Sequence, residues 1–237
     1  MEMIPERGSG RCLGLPQHDA PGDGGTPSGR LARPAPLALL WNLGLAVAVL
    51  GSLLGCTYLG TARTFDPADW DASPGWIAIH TVPFQEQHEE SQCGLAALRM
   101  IFDYWNVEGW TRARMKPYCP VVNQKGIRAR DLRRCARAAG LECYLIQGTW
   151  GDLVRELELG HPVIVGLVKP TLWGPLTHYE VVVGIHPDQR LLVTLDPARG
   201  WRLNTEEGFQ NEWNPASRLL LVFLSKTDPA IAVPTVE

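Results

Sequence analysis

Four residues have the types and spacing for covalent chemistry. Cys93 opens the apolar run Cys93-Gly94-Leu95-Ala96-Ala97-Leu98, and Gln87 stands six residues before it. His178 precedes Tyr179-Glu180-Val181-Val182-Val183-Gly184, and Asp196-Pro197 closes the next apolar run, Arg190 to Leu195. Thiol, imidazole, carboxylate and primary amide are the parts of a hydrolase that works through a thiolate nucleophile. A free thiol titrates near about 8.5, so at neutral pH it needs help to ionise. The positive end of a helix dipole favours thiolate, and an adjacent imidazolium favours it further.

Each group has an expected role. His178 pairs with the thiol as base and later protonates the leaving amine. Asp196 holds the other imidazole nitrogen and sets the tautomer. Gln87 offers its side-chain amide, beside the Cys93 backbone N–H, to the oxyanion of a tetrahedral intermediate.

The surrounding pattern says which elements position these groups. Leu95, Leu98, Ile101, Phe102 and Trp105 recur at three- and four-residue spacing, which predicts a helix beginning at Cys93. Its first N–H groups lack intrahelical partners. A second helix is expected over 129–139, ended by Gly140, and a strand over 142–146. Thr149-Trp150-Gly151-Asp152 approximates a capping box before Leu153–Leu157. Strands are expected at 162–168, 177–185 and 190–195, the last two joined by His186-Pro187-Asp188-Gln189. Asn204-Thr205-Glu206-Glu207 caps a short helix running to Trp213, and Leu219–Leu224 is a final strand. Helices clustered early and antiparallel strands late indicate an α+β fold.

The run from Val82 to Trp105 resembles the N-terminal signature of the C39 family of cysteine peptidases. The similarity continues through Lys125-Gly126-Ile127, the 129–139 helix, Gly160-His161-Pro162-Val163-Ile164-Val165, His178 to Gly184, and Asp196-Pro197, ending near Trp213. The resemblance implies a papain-like fold, with N-terminal helices packed on a mostly antiparallel sheet. It places the family's catalytic cysteine, histidine and aspartate on Cys93, His178 and Asp196, and its oxyanion glutamine on Gln87. Many members carry aspartate directly before the cysteine; here the residue is Gln92. That departure separates the chain from the transporter-linked branch more than it touches catalysis, and these 237 residues encode no transporter or ATPase. A stand-alone lipoprotein type is therefore expected.

Composition narrows the partners. The chain is 45% hydrophobic and 20% charged, with net charge −3, so no strong electrostatic partner is implied. Arg128, Arg130, Arg133, Arg134 and Arg137 crowd one helix, but arginine outnumbers lysine 18 to 4 across the chain. The cluster reads as a solvated face, and nucleic acid is not expected as a partner. No C-x-x-C or H-x-x-x-H pair occurs, so no metal and no cofactor is expected. The expected partner is a peptide or protein substrate.

The first 75 residues are organised differently. Residues 1–33 are rich in Gly, Pro and charge without apolar period, and read as a disordered extension. Residues 34–56 are almost uncharged, follow Arg30 and Arg33, and end in Leu53-Leu54-Gly55-Cys56. This resembles a bacterial lipobox, with Cys56 lipidated; the competing expectation is an uncleaved membrane anchor. Either puts the domain in the cell envelope, tethered to membrane and facing periplasm or exterior, and Thr57 after the cysteine suggests the outer membrane. Residues 57–75 read as a polar linker, 76–225 as the peptidase domain and 226–237 as a tail. With Cys12 in the leader and Cys56 lipidated, Cys93, Cys119, Cys135 and Cys143 remain, so a free Cys93 leaves at most one disulfide.

The expected function is an exported, membrane-tethered cysteine peptidase working through a thioester. Two alternatives share the cleft: a non-catalytic peptide-binding lipoprotein, and another thiol amidase or acyltransferase.

Overall fold

A computed structural model describes residues 58–72, 74–122 and 126–225. Residues 1–57 and 226–237, with the leader, Cys56, Lys125 and the tail, lie outside the described residues. Cys93–Tyr104 form helix α1, with Leu95, Leu98, Met100, Ile101 and Phe102 all buried. Burying each such side chain is worth about 1.5–3 kcal/mol. The helix stops where Asn106 turns left-handed at φ 52° and Val107 N–H donates to the Phe102 carbonyl, a common C-terminal device.

Arg112–Met115 form a four-residue helix, α2, capped by the Thr111 hydroxyl. It is too short to show an apolar period, so the sequence pattern did not reveal it. Helix α3, Ala129–Ala138, buries Leu132, Cys135 and Ala136, and Gly140 at φ 93° turns the chain out of it. The expected capping box is present at Trp150–Glu158, helix α4: the Thr149 hydroxyl accepts from Asp152 N–H while the Asp152 carboxylate accepts from Thr149 N–H.

One antiparallel sheet takes in all eight strands of the described residues. Its short strands β1 (Arg63–Thr64) and β2 (Ile77–Ala78) precede α1, and β3 (Glu142–Gln147) follows α3. After α4 come β4 (Val163–Lys169), β5 (Leu176–His186), β6 (Leu191–Asp196) and β7 (Gly200–Thr205). Helix α5 (Glu206–Trp213) and β8 (Leu219–Leu224) are the last α-helix and strand among the described residues. The strand order is β1-β7-β6-β5-β4-β8-β3, with β2 pairing β5. Helices α1 and α4 pack on β5, α3 on β3 and α5 on β4. The mixed, mostly antiparallel α+β architecture expected of a papain-like fold is thus observed. Strand β7 was not anticipated, because Gly200-Trp201-Arg202-Leu203-Asn204-Thr205 lacks a clean apolar alternation. It forms because the tight turn at Asp196 to Gly200 returns the chain onto β6.

The stretch expected as a linker is not one over its described part. Leu59 N–H donates to the Pro170 carbonyl, Tyr58 bridges to Thr171, and β1 pairs with β7. Phe65 and Trp70 are buried. The Trp70 ring lies over Gly184 of β5, where a Cβ would meet it at 2.0 Å. The apolar residues scattered in this polar stretch bury against β5 and β7, so packing begins before Trp76.

Candidate active site

Three of the predicted residues come together at the junction of α1 with the central strands. Cys93 is the first residue of α1. His178 lies near the start of β5, opposite Leu167 of β4. Asp196 is the last residue of β6. Strands β5 and β6 are hydrogen-bonded neighbours, so the two polar groups emerge side by side and the helix brings the thiol to them.

The geometry is that of a relay. His178 Nε2 donates to Asp196 Oδ1 at 2.7 Å, and Asp196 Oδ1 also accepts from Ala198 N–H at 2.8 Å. With Nε2 engaged, Nδ1 is the nitrogen left for the thiol, and Cys93 and His178 are hydrogen-bonded. All three side chains are buried, His178 and Asp196 with only 1% of each side chain exposed.

Electrostatics follow from these contacts. Burial pushes the Cys93 thiol up, but the hydrogen bond and charge of His178 and the N–H groups of Tyr179 and Gly94 outweigh it and leave the thiol below its ordinary value. Burial lowers His178, while hydrogen bonds to Asp196 and Cys93 and their charges raise it to about 10. Asp196 is raised by burial and pulled further down by His178, the Ala198 N–H and Lys169, so it stays below the usual carboxylate range. A lowered thiol beside a raised imidazole is a thiolate–imidazolium pair.

Gln87 approaches the same corner by its backbone. Its N–H donates to the carbonyl of Pro197, the residue after Asp196, at 2.9 Å. Its side-chain Oε1 is buried with no hydrogen-bond partner among the described residues. Cys56, the expected lipidation site, lies outside the described residues. Cys93, Cys119, Cys135 and Cys143 are all buried free thiols.

Several residues around the site were not anticipated. The ring of Tyr58 lies 5.5 Å from the His178 ring, centroid to centroid, with the Arg199 guanidinium 3.9 Å above Tyr58. Nothing in the polar stretch around Tyr58 marks it. Lys169 pairs with Glu180 at 2.7 Å and with Glu212 at 2.5 Å, and all three are buried. These did leave a signal: Lys169 and Glu180 are charges inside β-branched strands, and Glu180 shares its strand face with His178.

His178, Glu180 and Asp196 each place a potential ligand atom within 4.8 Å of the others. Their atoms are already committed, His178 to Asp196 and Glu180 to Lys169 and Thr194, so the trio is a charge and hydrogen-bond network rather than a free metal cage. Next to Cys93 in the chain, Gln92 joins Leu95, Lys116, Val121 and Ile127 in lining a cleft of about 260 Å³. The arrangement can generate a thiolate and protonate a leaving group.

A family model described as the peptidase C39 family matches residues 81–227. The mesentericin-Y105 transport/processing ATP-binding protein MesD of Leuconostoc mesenteroides is 28% identical over 136 residues, 57% of this chain and 18% of that protein. The chain thus spans less than a fifth of that curated relative's length. The peptidase domain of Streptococcus ComA, a bi-functional ABC transporter, superposes with a TM-score of 0.51 at 22% identity, over 61% of this chain and 99% of that domain. A C39-like peptidase from Bacillus anthracis gives 0.51 at 15% identity, over 64% and 98%. The family match covers well over half of the sequence, and the two solved structures share its fold: the chain belongs to the peptidase C39 family and is a cysteine peptidase.

Proposed function

We propose that the chain hydrolyses peptide bonds through Cys93, His178 and Asp196, with Gln87 as oxyanion donor, on a domain tethered to a bacterial envelope membrane. The observation that carries the chemistry is the hydrogen-bonded series from Cys93 through His178 to Asp196 at the N-terminus of α1. The Cys93 thiolate attacks the substrate carbonyl carbon, and the oxyanion takes hydrogen bonds from the Gln87 amide and the Cys93 backbone N–H. The imidazolium then gives its proton to the leaving amine, and the C–N bond breaks to leave a thioester. Water, deprotonated by the now neutral His178, attacks the thioester. The acid product departs, restoring thiolate and imidazolium.

The tether rests on the sequence of residues 34–56: an almost uncharged run behind Arg30 and Arg33, ending in Leu-Leu-Gly-Cys. Among the described residues, no helix is long and apolar enough to cross a membrane. Lipidation of Cys56 would put the domain on the periplasmic or outer face, with the outer membrane as its place. Peptides exposed in the envelope are then the substrate class.

The test is capture of the intermediate. Full chain incubated with an envelope peptide extract and quenched in acid should show a thioester on the Cys93 peptide by mass spectrometry, absent in Cys93→Ala. Peptides retained equally by both proteins, with no adduct and no cleavage, would establish a binding module instead.

A further inference from the structure

His178 faces two carboxylates, not one. Glu180 lies two residues on along β5, and side chains two apart share a strand face. A Glu180 oxygen, a His178 ring nitrogen and an Asp196 oxygen stand within 4.8 Å of one another. Of the two carboxylates, it is Asp196 that bonds the ring, at 2.7 Å. Glu180 is held elsewhere: Oε1 pairs with Lys169 Nζ at 2.7 Å, and Oε2 accepts from the Thr194 hydroxyl at 2.5 Å. Lys169 is held in turn by Glu212 at 2.5 Å. All of these groups are buried, with Lys169, Glu212 and Thr194 each 3% exposed and Glu180 2%. Buried ion networks of this kind are often no more stabilising than an apolar core of the same volume, so stability alone does not account for one beneath a reaction centre.

We propose that Lys169 is a positioning residue: by clamping Glu180 together with Thr194, it keeps Glu180 from taking His178 away from Asp196. Strand alternation brings Glu180 to the His178 face, and the last residue of β4 supplies the cation that neutralises it. Freed of Lys169, Glu180 would compete for the Nε2 proton. The ring would then leave the orientation in which its other nitrogen meets Cys93. The positive charge of Lys169 also helps keep Asp196 ionised. This inference rests on the proposed triad.

The test needs no substrate. Full chain is alkylated with iodoacetamide from about pH 5 to about pH 10, and the rate at Cys93 is followed by peptide mapping; a one-unit change in thiol pKa changes the thiolate fraction, and the rate near pH 6, about tenfold. Lys169→Met should slow alkylation near pH 6 about tenfold, and adding Glu180→Gln should restore it to within about threefold. A double variant as slow as Lys169→Met would overturn the proposal, because a purely structural or through-space role of Lys169 is not rescued by removing the competitor. Unchanged alkylation in a folded Lys169→Met protein would overturn it as well. If Lys169→Met does not fold by circular dichroism, Thr194→Val tests the other half of the clamp with every charge in place. It should slow alkylation about threefold, with recovery on adding Glu180→Gln, and wild-type rates would overturn the clamp. His178→Ala separates the two levels. If it leaves Cys93 alkylation near pH 6 unchanged, the triad itself fails and this proposal with it.

Discussion

Gly94, which follows Cys93, packs against the ring of Tyr179, which follows His178. A Cβ on Gly94 would stand 3.0 Å from Tyr179 Cδ2 and 3.3 Å from Leu132 Cδ1. The residues just after the thiol and the imidazole thus set how closely α1 approaches β5. Tyr179 is fixed from its other end, its hydroxyl donating to the Ile127 carbonyl at 3.0 Å.

Gly94→Ala should therefore injure the site more than the fold. Overpacking costs about 1–3 kcal/mol, and better helix propensity returns about 1 kcal/mol. A shift of a fraction of an ångström at the thiol should slow Cys93 alkylation and turnover about tenfold. Pairing it with Tyr179→Leu should recover part of the loss. Kinetics and thermal melts of both variants check this; full reactivity in Gly94→Ala would show the contact is slack.

Cys93 should be the thiol alkylated first near pH 6. Its thiol is held below the ordinary value by His178, whereas burial pushes Cys143 up to about 12. Hydrogen bonding to Cys135 and burial also raise Cys119; the same hydrogen bond lowers Cys135, but that thiol is wholly buried, 0% exposed, on α3. Peptide mapping after brief treatment decides it; Cys119 or Cys143 labelled ahead of Cys93 would contradict the assignment.

The alkaline limit of activity should lie near the His178 value of about 10 rather than near that of free histidine. A folded-state value above the unfolded one gives stability that is fully present below the ordinary imidazole range. That stability is lost as pH rises through about 10. Asp196→Asn removes the hydrogen bond that does most to raise His178, so it should move this limit to lower pH and slow turnover by loosening ring orientation. An unmoved limit in Asp196→Asn would detach Asp196 from the titration.

Gln87→Ala should lower kcat by about 10²–10³ with KM and the melting curve nearly unchanged. An oxyanion donor acts only once the carbonyl is tetrahedral. Gln87→Glu should be at least as damaging, because a carboxylate accepts and cannot donate. Near-normal turnover in Gln87→Ala would remove the residue from the mechanism.

For the tether, expression in a bacterium with labelled fatty acid should label the chain, and Cys56→Ser should abolish the label. A mature N-terminus before residue 50 without acyl label would point to an uncleaved anchor.

Sequence alone determined the helix at Cys93, because an apolar stripe at three- and four-residue spacing has one stable use. It determined β5 and β8 nearly to their ends, because β-branched runs bounded by turn residues form strands. It also singled out Cys93, His178 and Asp196, by residue type and order. Tertiary structure alone decided what surrounds them. Tyr58 and Trp70 sit in a polar stretch that reads as a linker, and they gain meaning only where β5 and β7 offer an apolar face. Strand β7 exists because a turn returns the chain onto β6, a pairing between strands rather than a pattern within one. Lys169, Glu180 and Glu212 belong to β4, β5 and α5, so their network is a product of strand register. Local pattern records which face a residue prefers, but only the register across strands decides which charges meet.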